Sequence, residues 1–85
     1  MSWKKYMNQT PSEDGEYLTV SFYGKDNEIK SYSVHSWANN LRDHHSYDFD
    51  DEEYEHSGFY AHNPEWGDYE VSNVEAWMEI EEYIP

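Results

Sequence analysis

Apolar and polar residues alternate most cleanly between Glu16 and Tyr23, where the chain reads EYLTVSFY. Leu18, Val20 and Phe22 share one side, and Tyr17, Thr19, Ser21 and Tyr23 share the other. A period of two with β-branched and aromatic residues predicts a strand. Gly24-Lys25-Asp26-Asn27 has turn composition, and Glu28 to Trp37 predicts the returning strand of a hairpin. A three-residue loop closing Lys25 on Ile29 sets Phe22 opposite Tyr32 and Val20 opposite Val34. A two-residue Asp26-Asn27 loop sets Val20 opposite Ser33, which mixes the two faces, so matching apolar faces favours the first register.

The rest of the pattern is weaker. Trp3, Tyr6 and Met7 stand on a polar background, as one helical turn or an edge strand would have them. Thr10 to Gly15 is a turn in which Pro11 presets φ. Ala38 to Ser57, ANNLRDHHSYDFDDEEYEHS, offers only Leu41, Tyr47, Phe49 and Tyr54 as anchors; it is expected to be a mobile acidic insertion (residues 38–57), a loop with at most one helical turn. Gly58 to Ala61 predicts a short strand, and Asn63 to Asp68 a turn. The tail has two readings. As a strand it puts Val74, Ala76, Met78 and Ile80 on one face and Glu75, Trp77, Glu79 and Glu81 on the other. As a helix it has a capping pair, Ser72 with Glu75, and a stripe of Val74, Trp77, Met78, Glu81 and Ile84. The stripe contains a glutamate, which favours the strand.

The expected fold is therefore mainly β: a small antiparallel sheet of three or four strands with a long acidic loop, the alternative being α+β with a C-terminal helix. At 85 residues the chain is expected to be one small domain with a thin margin of stability. Leu, Ile and Val are scarce and aromatics make 19% of the chain, so Trp3, Trp37 and Trp77 are expected in the core. The same aromatic content argues for a folded domain rather than a disordered acidic tail.

The ends of the chain carry a further pattern. Trp3 is followed by Pro11-Ser12-Glu13-Asp14-Gly15-Glu16-Tyr17-Leu18-Thr19-Val20, and Val74-Glu75-Ala76-Trp77-Met78 lies near the other end. This resembles the small phage and prophage family catalogued as domain of unknown function 551. Its members begin with W-I-x-V, run through L-P-E-D-G-x-x-V-L-V and close with V-T-H-W-M-P-L-P. The resemblance covers roughly residues 3–37 and 58–80. Thr10, Ala76 and Glu79 depart from it, standing where the family has Leu, His and Pro, and residues 38–57 look like an insertion. The resemblance implies a mainly β domain of phage or prophage origin. Trp3, Pro11, Gly15, Trp77 and Met78 carry over as fold positions, and no activity comes with them. A Pro after the Trp-Met pair disfavours a helix there, which again favours the strand.

Charge narrows the functional classes. Five Lys and Arg face nineteen Asp and Glu, a net −14, and the imbalance is local. All five bases and five of the acids precede residue 43, so residues 1–42 sum to zero and the second half carries the whole excess. Nucleic acid and anionic membrane are poor direct partners for such a chain. Without cysteine there is no disulfide framework, thiolate metal site or cysteine nucleophile. No apolar run reaches the ~18 residues of a membrane span, and no apolar stretch follows Lys4 and Lys5 as in a signal peptide. A cytoplasmic protein of the host cell is expected.

No nucleophile elbow or phosphate-binding glycine loop is present, and with nineteen acids a nominal carboxylate pair signals nothing. A non-enzyme without cofactor is expected. What remains is the acidic half. Asp48, Asp50, Asp51, Glu52, Glu53 and Glu55, with Trp66 as an apolar anchor, could imitate the charge array of a duplex. They would then occupy a basic, nucleic-acid-binding host protein as an inhibitory DNA mimic. The alternative is a metal-binding module on His44, His45 and His56 with nearby Asp, although the helical H-E-x-x-H spacing and the calcium-loop glycine are missing. A third reading is a structural domain whose charge serves solubility alone.

Overall fold

The computed structural model describes residues 2–6, 8–44 and 46–80. It is mainly β: one open antiparallel sheet of six strands. In chain order these are β1 (Lys4–Lys5), β2 (Gly15–Tyr23), β3 (Ile29–Ala38), β4 (Gly58–Asn63), β5 (Gly67–Val71) and β6 (Val74–Glu79). Their spatial order is β1-β6-β2-β3-β4-β5, so the tail strand inserts between the N-terminal segment and the first hairpin. The expected three or four strands become six because β1 is only two residues long and β5, GDYEV, is too acidic and glycine-containing to read as a strand. Each is an edge strand, where short length and charge discourage further pairing.

The β2–β3 hairpin forms in a different register from the one the apolar pattern favours. Tyr23 pairs with Ile29, Val20 with Tyr32 and Leu18 with Val34. The connecting residues 24–28 include two left-handed positions, Gly24 at φ 91° and Asn27 at φ 55°, which let a longer loop close. The shift from the expected pairing is two residues, so it leaves every side chain on its expected side.

The two sides of the sheet are unlike. One carries Tyr17, Thr19, Ser21, His35, Trp37, Phe59 and Trp77, and here lies the main core of Trp37, Phe59, Val71, Val74 and Trp77. Tyr6 meets Trp37 and Phe59 with ring centroids 6.1 and 5.3 Å apart, and Tyr17 packs edge-on to Trp77 at 5.2 Å. Residues 8–14 close over this side. The Trp77 indole donates to Gln9 O at 2.8 Å, and Tyr17 Oη to Glu13 O at 2.8 Å. Asn39 joins the same loop, giving its backbone N–H to Asp14 Oδ1 at 2.7 Å while accepting from the Trp37 indole at 2.8 Å.

Val74 belongs to this core because of a β-bulge. Val20 pairs with Ala76 but Ser21 pairs with Val74, which leaves Glu75 as the extra residue. The bulge breaks the expected alternation of β6 and places Val74 beside Trp77 instead of Met78. The Glu75 carbonyl, turned out of the β2 ladder, accepts from Tyr6 N at 2.9 Å.

The opposite side carries Leu18, Val20, Phe22, Tyr32 and Val34, the cleanest apolar stripe in the sequence. Only part of it is covered. Over β3, β4 and β5 the chain from 39 to 57 packs down through Leu41 and Phe49, both fully buried against Ala38, Tyr54 and Tyr60. Over β3 the stripe stays open, with Tyr32 60% and Val34 53% exposed, whereas Val20 on β2 and Met78 on β6 are buried. Trp3, expected in the core, lies here instead at 42% exposure, 6.1 Å from the Tyr32 ring. Lys4 pairs with Trp77 and takes the Trp37 side, so alternation sends Trp3, one residue earlier, to the opposite side.

Candidate functional site

The acidic segment is built of three consecutive 3-10 turns, Leu41–Asp43, Tyr47–Phe49 and Glu52–Tyr54. Local chemistry explains each. Asn40 Oδ1 accepts from Arg42 N at 3.0 Å and Ser46 Oγ accepts from Asp48 N at 3.2 Å, so both precede a turn as side-chain caps. The third turn is held by backbone bonds, Tyr54 N to Asp51 O at 3.0 Å and Glu55 N to Glu52 O at 3.1 Å. Leu41 N donates to His56 O at 2.9 Å and closes the base of the whole excursion. Of the four expected anchors, Leu41 and Phe49 are fully buried and Tyr54 packs on Phe49 at 5.0 Å. Tyr47 is no anchor: it is 99% exposed, because the turn that buries Phe49 directs it away from the sheet. Three organised turns thus replace the expected loop with at most one.

Histidine–carboxylate pairs tie the segment to β5. Asp68 accepts from His44 Nε2 at 3.2 Å on one oxygen and from His62 Nδ1 at 2.7 Å on the other. Glu70, two residues on and on the same face, accepts from His56 Nε2 at 3.0 Å. Each of these ring nitrogens must carry the proton, since an ionised carboxylate can only accept. His44 also stacks on Tyr60, centroids 4.4 Å apart. Burial opposes the charge on Asp68, but hydrogen bonds from His62, Ser46 and His44 outweigh it and hold its carboxyl below the ordinary range. Reading 58–71 as one hairpin would have exposed the His62–Asp68 pair alone. Asp68 and Glu70 alternate on one strand, and His62 stands directly opposite Asp68.

The predicted partner-binding residues divide. Asp48 is committed within the fold: its Oδ2 accepts from Asp68 N at 2.8 Å and from Ser46 Oγ at 3.2 Å. Its carboxylate lies directly against Gly67, whose φ of 93° and missing side chain make the approach possible. Glu55 pairs with Arg42 Nη1 at 3.3 Å. Asp50, Asp51, Glu52 and Glu53 are exposed and, among the described residues, in no ion pair. Trp66, at the tip of the β4–β5 turn beside the Asp48 corner, is 71% exposed and stacks on Tyr69 with centroids 6.0 Å apart. A cleft of about 390 Å³ opens among Arg42, Asp43, His44, Ser46, Tyr47 and Asp50, lined mainly by polar atoms.

The alternative metal ligands are not brought together. His44 and His56 engage different carboxylates, Asp68 and Glu70, and His45 lies outside the described residues. Among the described residues no group of three or more His, Asp or Glu is arranged to hold a metal ion. No helix among them is long and apolar enough to cross a membrane. Compared with family models, curated proteins and solved structures, the chain matches none of them.

Proposed function

We propose that the chain is a non-enzymatic binding protein of phage or prophage type. Its acidic segment occupies the basic surface of a nucleic-acid-handling or defence protein of the host by charge mimicry. The observation that carries this reading is the outward display of Asp50, Asp51, Glu52 and Glu53 from turns whose other side is pinned by Phe49 and Leu41. A pinned acidic array loses less conformational entropy on binding than a free tail does. Asp50 follows one 3-10 turn, Asp51 is extended, and Glu52 and Glu53 open the next. Duplex DNA carries about one negative charge per 1.7 Å of its axis. Asp50 through Glu53 supply four consecutive carboxylates, and Glu55 is offset by Arg42. Trp66 and Tyr47, both largely exposed, flank the array as apolar contacts.

The test is capture from nuclease-treated host lysate at low and at roughly threefold higher salt, followed by competition with duplex DNA. Screening shortens over that range, so a charge-driven complex weakens. The control replaces Asp50, Asp51, Glu52 and Glu53 with Asn and Gln. The expected result is one basic protein, released by salt and by duplex DNA and not held by the neutralised variant. Retention unaffected by salt or by duplex overturns mimicry.

A further inference from the structure

This side of the sheet leaves apolar surface uncovered. Tyr32 and Val34 are exposed, Leu18 and Phe22 half-buried beside them, and Trp3 is laid across to Tyr32 above the buried Val20 and Met78. A cleft of about 250 Å³ runs between Trp3, Val20, Phe22, Lys30 and Tyr32. Soluble monomers rarely display a contiguous patch of this kind without a partner.

The charges on this face indicate the partner. The Lys5–Glu75 pair, 3.8 Å apart, stands at the β1 edge. Within β2, β3 and β6 the face otherwise carries two charged residues, Glu16 and Lys30. Neither makes an ion pair among the described residues. They stand at opposite ends: Glu16 is level with Ser36, and Lys30 is level with Phe22, six residues further along β2. That separation is about 20 Å of strand. Two residues of opposite charge at the two ends of the stripe each meet their opposite when a second copy is turned end for end. The charge partition agrees: the face belongs mostly to the neutral first half, while the excess −14 lies in the second.

We propose that this face is the interface of a homodimer. Two copies meet face to face about a two-fold axis perpendicular to the strands, passing level with Thr19 and Ser33. Rotation about that axis brings Lys30 of each copy to the Glu16 end of the other. Tyr32 of one copy lies over Val34 of its partner, as in an aligned sandwich of two sheets. Such an isologous contact buries the exposed Tyr32 and Val34. This proposal stands apart from charge mimicry, since it uses none of the acidic segment.

Sedimentation velocity over a wide concentration range tests it, with circular dichroism as the control for folding. The wild type is expected to reach about twice its 10.3 kDa mass as concentration rises. Tyr32→Glu and Val34→Glu alter exposed side chains, so each is expected to keep its fold and to dissociate at least ~30-fold more readily, as when an aromatic anchor is lost. Lys30→Glu sets two glutamates against each other at both ends and weakens the dimer. Adding Glu16→Lys to that variant restores it. A protein that stays monomeric throughout overturns the proposal and leaves the face to an unrelated partner. A dimer indifferent to Tyr32→Glu and Val34→Glu overturns the choice of face. A dimer weakened by Lys30→Glu but not restored by the second exchange overturns the two-fold register.

Discussion

The two sides of this sheet reach burial by opposite routes. The Trp37 side has a poor apolar pattern, with Thr19, Ser21, Ser33 and His35 in its strands, yet it is closed by residues 8–14 and holds the main core. The other side has the better stripe, yet Tyr32 and Val34 stay open, and the acidic excursion covers Ala38 and Tyr60 beyond them. Alternation fixes which residues share a face. It does not fix which face is covered, because that depends on what the flanking chain can lay over it. Thr19 illustrates the point. It is fully buried, and its hydroxyl donates to Ser33 O at 3.1 Å while meeting His35 Nδ1 at 2.7 Å. A polar residue is tolerated in the core because both its bonding roles are used.

The largest expected effects come from removing the aromatic at the centre of each cluster. Trp37→Ala and Phe49→Ala each empty a fully buried site and should cost about 3–5 kcal/mol, much of a small domain's stability. Their consequences should differ. Trp37 sits on β3 in the middle of the sheet, packs on Tyr6 and Phe59, and bonds through Asn39 to the 8–14 loop, so its loss should unfold the molecule as a whole. Phe49 joins only the excursion to the sheet. Phe49→Ala should release residues 39–57 while strands persist. A glutamate-specific protease should then cut at Glu52, Glu53 or Glu55 before amide protection in β2 and β3 falls. Simultaneous loss of both would make the excursion part of the core rather than a layer upon it.

The next effect tests the corner where the excursion meets the β4–β5 turn. Gly67→Ala places a Cβ against the Asp48 carboxylate in a backbone region that L residues avoid. The expected cost is about 1–2 kcal/mol from the backbone alone. Combining it with Asp48→Ala should remove the added steric part. Thermal melts of the two single variants and the double variant separate the terms. Equal cost with and without Asp48 would show that the carboxylate yields without resistance.

Much of the fold was legible in the sequence, and the failures have identifiable causes. Both strands of the β2–β3 hairpin followed from alternation. Residues 74–79 fitted a strand or a helix, and the glutamate in the helical stripe favoured the strand. The hairpin register did not follow, because two pairings that differ by two residues place the same side chains on the same face. Val74 changed sides through a bulge at Glu75, and one inserted residue has no signature in an alternating pattern. Trp3 stayed outside because Lys4, its neighbour, is the residue that pairs with Trp77 and takes the core side. At the site, the carboxylates of 50–53 stand exposed as their composition suggested. Asp48 does not share that role, because its position against Gly67 depends on a contact twenty residues away in sequence. The histidine pairs were hidden for the same reason, since His44 and His56 meet β5 only once the excursion has folded back.

Acid should distinguish the two sides by different groups. On the Trp37 side, burial lowers the His35 pKa from its ordinary value. The unfolded chain therefore binds that proton more readily, and stability should fall as pH drops from about 6.5 toward the folded value. On the β5 side, Asp68 is held below the ordinary carboxylate range, so its contribution persists through that window and is lost only as pH falls further. Melts between pH 7.5 and pH 3 should show two separate declines. His35→Gln should flatten the upper one and Asp68→Asn the lower. An upper decline unchanged in His35→Gln would assign it to other histidines.

The smallest effect sharpens the comparison most, because it sets the same chemistry in two places on one face. Val34 and Ala38 both lie on the side carrying the apolar stripe, four residues apart on β3, but Val34 is 53% exposed and Ala38 2%. Val34→Thr exchanges a methyl group for a hydroxyl at a position that water reaches. Threonine is as acceptable in a strand as valine, so the variant's unimolecular stability should stay within about 0.5 kcal/mol of wild type. Ala38→Ser places a hydroxyl among Leu41 and Phe49, where an unpartnered group costs about 1–3 kcal/mol. Melts at high dilution isolate this difference from self-association. If Val34→Thr costs as much as Ala38→Ser under those conditions, the stripe over β2 and β3 is already covered within a single chain. Its exposure would then provide no driving force for two copies to meet there.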